Sequence, residues 1–359
     1  MSSASMEDQV RETVRGLFAD AASIEIKDMD VGVLSRVFHV TVTFASGASP
    51  RELVAKCPRP EFPFLHSMFD VEGAFYTQTR HDGIPFRLPT FLYASSEIVV
   101  LDKVPNVVSY KCVDGCPQDR IVPILSALGR MHGQHWNQTF PQLAKVPGIG
   151  ASLPREAKQT QFPLLFAPFL AELAEHAAAD VDMAAMHDLC VRLSADDGVG
   201  RVHDAVGGWH TSLLHGDFHV ANLLFDAVSD AMWLLDWATS GTSNPLRDVA
   251  FFFIVGVTSA DRRATETKAL RAYYDHLAVD DDISFDAILR MYWLCVVNQF
   301  VILVVYNELT MSLAKQGGSV DKQASLRHGF LETNHRACLA FLDACAHLDL
   351  DTLLDDVAR

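Results

Sequence analysis

The chain has 359 residues, of which 49% are hydrophobic and 21% are charged, and its formal net charge is −16 at pH 7. This length suffices for two lobes or domains, and the composition is that of a globular protein. The negative charge argues against nucleic acid or an anionic membrane as the main partner. It is compatible with a cationic small molecule, or with solubility alone.

The first hundred residues are predicted to form a small β-rich lobe. Val10, Val14, Leu17 and Phe18 fall on one helical face, which indicates a docking helix and not a signal peptide. Alternating apolar residues and turn signals then predict strands at 37–45, 51–57, 86–95 and 97–104, with one helix at 67–83 that ends at Gly83 as its C-cap.

The rest of the chain is predicted to be mainly helical. Amphipathic patterns cover 118–136 and 162–193, and only the segments around His215 and Trp233 favour strands. The apolar run 291–306 is short for a membrane span and carries polar residues at its middle, which indicates a buried helix. The predicted class is therefore α+β, with an N-terminal lobe at 1–103 and a C-terminal lobe at 104–359. The seven cysteines show no zinc-ribbon spacing, which favours reduced thiols and a cytoplasmic location.

Polar residues gather at the ends of two short predicted strands. "LLHGDFHVANLLFD" contains Asp217 and Asn222, and "MWLLDWATSG" contains Asp236. Carboxylate and amide oxygens suit Mg²⁺, which also binds phosphate. Phosphoryl transfer needs one carboxylate to orient a hydroxyl, and an Asn and a second carboxylate to hold Mg²⁺. The Asp-x4-Asn spacing matches that of a kinase catalytic loop, with His215 two residues before the Asp.

The two segments, continued by "TSNPLRDVAFFF", resemble the aminoglycoside phosphotransferase and choline kinase group, including its ecdysteroid-kinase-like branch. The hallmark of this group is an HGD-x4-N loop, an Asp-Trp or Asp-Phe strand end and a later Asp before a helix. The resemblance is highly specific over 213–253 and moderate over 37–136. It implies a protein-kinase-like bilobal fold, with a β-rich N-lobe carrying one key helix and a helical C-lobe. It also implies ATP- and Mg²⁺-dependent phosphorylation of a hydroxyl on a small molecule.

The resemblance also implies roles for individual residues in the C-terminal lobe. Asp217 would be the catalytic base or would orient the hydroxyl, while Asn222 and Asp236 would ligate Mg²⁺. His215 would support the catalytic loop without taking part in the chemistry. Asp248 would brace that loop or cap the next helix; an ordinary first-turn Asp interacting with the helix dipole is the alternative.

The N-terminal lobe would bind the nucleotide. Lys56 ends "LVAK", which resembles the kinase Val-Ala-x-Lys pattern, and would contact the α/β-phosphates. The resemblance implies that Glu72 of the following helix holds Lys56 in place; Glu61 is the fallback partner, although Pro60 and Pro63 argue against a helix there. Gly32 and Ser35 would lie in the loop that covers the phosphates, although Gly32 could be a plain turn residue. The backbone of Leu101 and Lys103 would bond the adenine.

Two other functional classes stay open at this point. A nucleotide-binding pseudokinase or regulator would share the fold, and a protein kinase would share the motifs, although the segment from Asp236 to Asp248 is short for a regulated activation loop. The acceptor is not specified: an amino sugar, choline or ethanolamine, a sterol-like alcohol and a macrolide all remain. It is expected against helices from 155–195 and 285–335, near Trp136, Tyr292 and Trp293. The oligomeric state is not predicted.

Overall fold

The computed structural model describes residues 3–32, 34–61, 65–79, 81–143, 153–177, 180–279, 283–315 and 319–348. Its N-terminal part is an antiparallel five-stranded sheet with strand order β1-β2-β3-β5-β4. The elements of this part are α1 (Ser3–Leu17), β1 (Ala21–Asp28), β2 (Ser35–Phe44), β3 (Arg51–Pro58), α2 (Leu65–Gln78), β4 (Phe91–Ser95) and β5 (Ile98–Asp102).

One face of this sheet is covered by α1. Strand alternation places Phe38, Val40 and Val42 of β2 on the same face, where they pack with Val10 and Val14 of α1. All five side chains are fully buried, and each stabilises the lobe by about 1.5–3 kcal/mol. The docking role predicted for the first helix is confirmed.

The opposite face of the sheet carries Lys56. In the strand register Lys56 lies opposite Val37 and Val99, whereas its neighbour Cys57 points into the α1 core. Helix α2 belongs to the core on this second side, because Phe75 packs in the same cluster as Val99. The sheet therefore separates the Lys56 side from the α1 side.

Two details of the N-terminal part differ from expectation. Strand β1 was not predicted, because Ile24 is its one buried side chain and an edge strand this polar gives little periodic signal. Helix α2 ends at Gln78, so Gly83 is not its C-cap. Gly83 instead has φ +84° in the turn beyond the helix, where a Cβ would lie 2.1 Å from the Gln134 side chain.

The C-terminal part is mainly helical, with short strands that carry the polar motifs. Its elements are β6 (Val107–Ser109), α3 (Gln118–Gln134), α4 (Arg155–Ala177), α5 (Met183–Ser194), α6 (Gly198–Gly207), β7 (Ser212–Leu214), β8 (Leu223–Asp226), β9 (Met232–Leu234), β10 (Gly241–Ser243), α7 (Leu246–Gly256), α8 (Ser259–Leu277), α9 (Phe285–Lys315) and α10 (Val320–His347). The predicted helix 162–193 is two helices, since Asp182 caps α5 by accepting a bond from Ala185 N. The predicted α+β class is confirmed, while the boundary between residues 103 and 104 stays a prediction.

Helix α9 is the long apolar segment of the chain. By length and composition alone it could cross a membrane, but 83% of its apolar window is buried inside the protein. Its polar residues Asn298 and Gln299 are buried as well, and Asn298 Oδ1 accepts a 2.6 Å bond from Lys158 Nζ. The predicted buried helix is confirmed.

Two small antiparallel pairings set the positions of the motifs. Strand β7, which leads into His215, pairs with β10. In the hairpin of β8 and β9, Leu223 lies opposite Leu234. Asn222 directly precedes β8, and Leu235 N, directly after β9, donates a 2.9 Å bond to Asn222 O. The hairpin therefore brings Asn222 and Asp236 to the same end of a sheet.

Candidate active site

The segment His215–Asp217, which the sequence predicts to begin a catalytic loop, is held in place by Asp248. Its Oδ2 accepts a 2.7 Å bond from His215 N, and its Oδ1 accepts a 2.9 Å bond from Gly216 N. The carboxylate is almost completely buried. The cap of α7 comes from elsewhere, since Leu246 N donates to Asn244 Oδ1 at 3.0 Å. Asp248 therefore makes the bonds expected of a brace and does not cap α7, while it also lies in the first turn of that helix; its role in a catalytic loop stays a prediction.

Gly216 allows the loop to turn tightly. Its φ is +83°, and a Cβ at this position would lie 2.3 Å from Thr239 O. A non-glycine residue would meet both an unfavourable backbone conformation and a steric clash. The close approach holds the loop against the segment that follows Asp236.

His215 lies inside the protein beneath the loop. One ring nitrogen, Nε2, is 2.8 Å from Leu235 O, and Nδ1 is 3.2 Å from Asp217 N. Burial lowers the pKa of His215, and the two partners assign a neutral ring that donates from Nε2 and accepts at Nδ1. His215 therefore links the loop that carries Asp217 to the strand end before Asp236, and its supporting role stays a prediction.

Asp217 presents a partly exposed carboxylate. Asn222 Nδ2 donates to Asp217 O at 2.9 Å and to its Oδ2 at 3.1 Å, and His219 Nε2 lies 3.4 Å from the same Oδ2. Burial raises the pKa of Asp217, but the charge and hydrogen bond of His219 outweigh it and lower the pKa to about 2. Asp217 is therefore ionised near neutral pH, with 36% of its side chain exposed.

His219 is a contact that the sequence interpretation missed. Its backbone is extended, and side chains two residues apart on an extended segment lie on the same side. That spacing from Asp217 was the available signal. Burial lowers the pKa of His219, but Asp217 outweighs it and the pKa rises well above the usual value. His219 and Asp217 therefore form an ion pair.

Lys56 connects the two lobes. Its Nζ lies 2.8 Å from Glu72 Oε2 on α2 and 2.7 Å from Asp236 Oδ1. Burial lowers the pKa of Lys56, but the charges of Asp236 and Glu72 outweigh it and raise the pKa. Burial raises the pKa of Glu72, against the opposing charge of Lys56. The ion pair expected between Lys56 and Glu72 is present, while its role in binding a nucleotide stays a prediction.

Asp236 has an uncommon backbone. Its φ is +64°, a left-handed conformation that costs a non-glycine residue free energy and often marks functional sites. Within the described residues, Asp236 Oδ2 and Asn222 Oδ1 make no hydrogen bond to protein. Two oxygen donors of the kind Mg²⁺ prefers are therefore available at one end of the β8–β9 hairpin. The described residues contain no cluster of three or more His, Cys, Asp or Glu that could hold a metal, and Mg²⁺ binding by Asn222 and Asp236 stays a prediction.

The loop predicted to cover the phosphates is compact. Gly32 has φ +84°, and a Cβ there would lie 2.9 Å from Ser35 O, so the turn requires glycine. Ser35 lies on the Lys56 face of the sheet by strand alternation. Leu34 packs against a small cluster that includes Ala238, which brings this loop close to the segment after Asp236. Nucleotide contacts of Gly32 and Ser35 stay predictions.

The connector between the lobes offers fewer backbone groups than expected. Lys103 N already donates a 2.9 Å bond to Glu52 O. Leu101 is paired with Val54 on one side and Phe91 on the other within the sheet. Adenine recognition by Leu101 and Lys103 stays a prediction, and it would depend on the Lys103 carbonyl more than on its N–H.

Trp237 was also missed as a structural contact. Its fully buried ring stacks on Phe75 of α2, with 3.8 Å between centroids and 6° between planes. Phe75 lies one helical turn from Glu72. The residue after Asp236 therefore packs directly against the helix that positions Lys56.

The aromatic residues expected at the acceptor divide into two groups. Tyr292 is fully buried and donates to Glu266, and Trp293 is 8% exposed and stacks on His347. The expectation that they contact an acceptor is wrong, because both belong to the core. Trp136 is half-buried and stacks on His210, with 4.8 Å between ring centroids.

Solved structures share this architecture. A choline/ethanolamine kinase family protein from Mesorhizobium loti is 16% identical, with a TM-score of 0.53 over 98% of this chain and 99% of that protein. Plasmodium vivax ethanolamine kinase is 13% identical, with a TM-score of 0.56 over 93% and 85%. A spectinomycin phosphotransferase solved with ADP and spectinomycin is 12% identical, with a TM-score of 0.51 over 92% and 98%. The predicted resemblance and the protein-kinase-like bilobal fold are confirmed.

A comparison with models of protein families identifies the family of this chain. The model described as "Uncharacterized oxidoreductase dhs-27" (DUF1679) matches residues 94–306, more than half of the sequence. The chain belongs to this family. No curated protein matches the sequence significantly.

Proposed function

We propose that the protein is an ATP- and Mg²⁺-dependent phosphotransferase that phosphorylates a hydroxyl group of a small molecule. The observation that carries this proposal is that two sets of polar side chains lie in neighbouring segments. An ionised, partly exposed Asp217 is held by Asn222, and the strand hairpin beside it delivers Asp236 to a buried Lys56–Glu72 pair. Phosphoryl transfer needs these two sets side by side.

Asp217 would hold the acceptor hydroxyl. A carboxylate with a pKa of about 2 is a weak base, so its main effect is to orient the hydroxyl as a hydrogen-bond acceptor. This suits a loose transition state, in which the proton leaves late and positioning dominates. The hydrogen bonds from Asn222 and His219 fix the position of the carboxylate, and the carboxylate stays ionised.

The phosphate end of the site would be formed by Lys56, Asn222 and Asp236. Glu72 keeps Lys56 cationic and in place, so Lys56 can bond phosphate oxygens. The unused oxygens of Asn222 and Asp236 would hold Mg²⁺, which neutralises charge on the phosphates. The turn at Gly32 and Ser35 would cover the phosphates and exclude water from them.

The word oxidoreductase in the family description does not suit this fold. Dinucleotide-binding folds use parallel strands with a Gly-x-Gly-x-x-Gly turn. The sequence contains no such glycine pattern, and the strand pairs of the three described sheets are antiparallel. A pseudokinase ranks below an active enzyme, because Lys56, Asp217 and Asp236 are all present and Lys56 makes the expected contact with Glu72.

The test is ADP release from Mg-ATP across a panel of hydroxylated small molecules, from amino alcohols and amino sugars to sterol-like alcohols and macrolides. Asp217→Asn should lower turnover by about 10²–10⁴-fold, the contribution typical of a positioned acid–base group. Asp230→Asn is the matched control, since Asp230 is fully exposed and remote from the site. Wild-type turnover in Asp217→Asn would contradict the proposal.

A further inference from the structure

A second polar site lies on the opposite face of the same sheet, near the strand end that carries Lys56. A cavity of about 140 Å³ opens between the β1–β2 loop and α10, and its lining residues are Asp28, Asp30, Val31, Arg36, Arg59 and Lys322. Arg36 lies opposite Cys57 in the strand register, and Cys57 faces the α1 core. Because side chains alternate along a strand, Arg36 points to the face opposite Lys56. The cavity is therefore distinct from the proposed nucleotide site.

The charges around this cavity do not balance. Arg36 pairs with Asp28, and Lys322 Nζ lies 2.7 Å from Asp30 Oδ1 and 2.8 Å from Asp30 O. Arg59 has no side-chain partner within the described residues, and its Nε is buried without an acceptor. Three cations thus face two carboxylates. This local excess of positive charge stands in a protein whose net charge is −16.

An unpaired buried guanidinium nitrogen is unfavourable unless an acceptor reaches it. Arg59 lines the cavity, so an anion held there would meet its guanidinium group, which has no carboxylate partner within the described residues, although Nε itself is closed off from the cavity. Arg36 and Lys322 would face the same anion from β2 and α10, so donors would approach it from three separate elements. Such convergence suits a tetrahedral oxyanion better than a flat carboxylate, which one guanidinium fork can satisfy alone.

We propose that this cavity binds the phosphate group of a small ligand, either free orthophosphate or a compact phosphomonoester. Its volume is roughly ten times the ~15 Å³ that one water needs, which fits a phosphate group with a short substituent. Arg59 is the principal contact, and Arg36 and Lys322 complete the site. Since Lys322 lies on α10 and Asp30 in the β1–β2 loop, the bound phosphate would fix Asp30 against α10.

The experiment is isothermal titration of the full chain, without nucleotide, using orthophosphate, glycerol 3-phosphate and acetate as probes. The wild type is expected to bind one or both phosphate probes and to bind acetate at least about tenfold more weakly, which corresponds to ~1.4 kcal/mol. Binding of orthophosphate alone assigns the site to the free ion. Binding of glycerol 3-phosphate assigns it to a monoester.

Variants locate the binding. Arg59→Gln should weaken phosphate binding at least about tenfold, and Arg59→Lys should restore part of it. Arg15→Gln is the matched control in the same lobe, since Arg15 is exposed on α1, and its affinity should equal that of the wild type. Unchanged binding in Arg59→Gln, equal binding of acetate, or no phosphate binding by the folded wild type would each overturn the inference. The measurement involves neither ATP nor turnover, so its failure is separate from failure of the proposed phosphotransferase activity.

Discussion

Replacement of Asp248 by asparagine tests how the catalytic loop is held. Both carboxylate oxygens accept backbone N–H bonds, at 2.7 Å from His215 and 2.9 Å from Gly216. Asparagine keeps the shape but removes the charge, and it turns one acceptor into an NH₂ group that faces a backbone donor. A hydrogen bond to a charged group contributes about 1.5–3 kcal/mol. We therefore expect Asp248→Asn to lower the free energy of unfolding by about 2–4 kcal/mol.

The assay for this variant is chemical denaturation followed by circular dichroism, with turnover measured in parallel. Turnover should fall even at temperatures where the variant is fully folded, because Asp217 follows the two braced residues directly. Asp230→Asn, at a fully exposed position, should differ from the wild type by less than about 0.5 kcal/mol. If Asp248→Asn matched the wild type in both stability and turnover, the bonds from His215 N and Gly216 N to Asp248 would not stabilise the loop as we expect.

Three further predictions concern other parts of the molecule. Lys56→Met should lower turnover by at least about 10²-fold, because it removes the charge that we propose to bind the phosphates. Lys27→Met, at an exposed position on β1, should not; steady-state kinetics checks both. Gly216→Ala should cost more than about 2 kcal/mol in a denaturation experiment, given φ +83° and the 2.3 Å approach to Thr239 O. Gly16→Ala, with nothing within 4 Å, should be neutral or slightly stabilising. Burial lowers the pKa of Lys158 from 10.5 to about 7. Between pH 7 and pH 10.5 the unfolded chain therefore binds more protons at this residue than the folded protein does. Lys158 therefore makes the free energy of unfolding increase with pH over this range. The stability of Lys158→Met relative to the wild type should therefore decrease as the pH rises from about 7 to 10. Thermal melts at matched ionic strength measure this difference.

Each of these predictions has a clear contrary result. Equal turnover rates for Lys56→Met and Lys27→Met would show that Lys56 does not bind the phosphates. A Gly216→Ala protein as stable as Gly16→Ala would show that the loop relaxes freely. A difference between Lys158→Met and the wild type that does not vary with pH would show that Lys158 stays charged when folded.

Much of the candidate site could be predicted because its signals are local. The Asp-x4-Asn spacing and the strand before Asp236 lie within one short stretch, and hairpin geometry then brings Asn222 and Asp236 together. Lys56 and Glu72 are 16 residues apart, at the end of a strand and on the next helix, and the family resemblance was the signal that predicted their contact.

Other contacts could not be predicted from pattern alone. Helix α9 is apolar on all sides, so periodicity gave no means of telling that Tyr292 faces the core and not a cleft. The approach of His219 to Asp217 depends on the extended backbone within the loop. The contact between Lys322 and Asp30 joins residues 292 positions apart, and no local sequence signal connects them.

The most direct test of the central claim is to follow the γ-phosphate itself. ATP labelled with ¹⁸O in the γ-phosphate would be incubated with Mg²⁺, the protein and the acceptor that stimulates ADP release most, and the products analysed by mass spectrometry. We predict a labelled phosphate ester of the acceptor with the wild type and with Asp230→Asn, and a yield at least about 10²-fold lower with Asp217→Asn. Label found only in inorganic phosphate, or equal ester formation by Asp217→Asn, would contradict a phosphotransferase that uses Asp217.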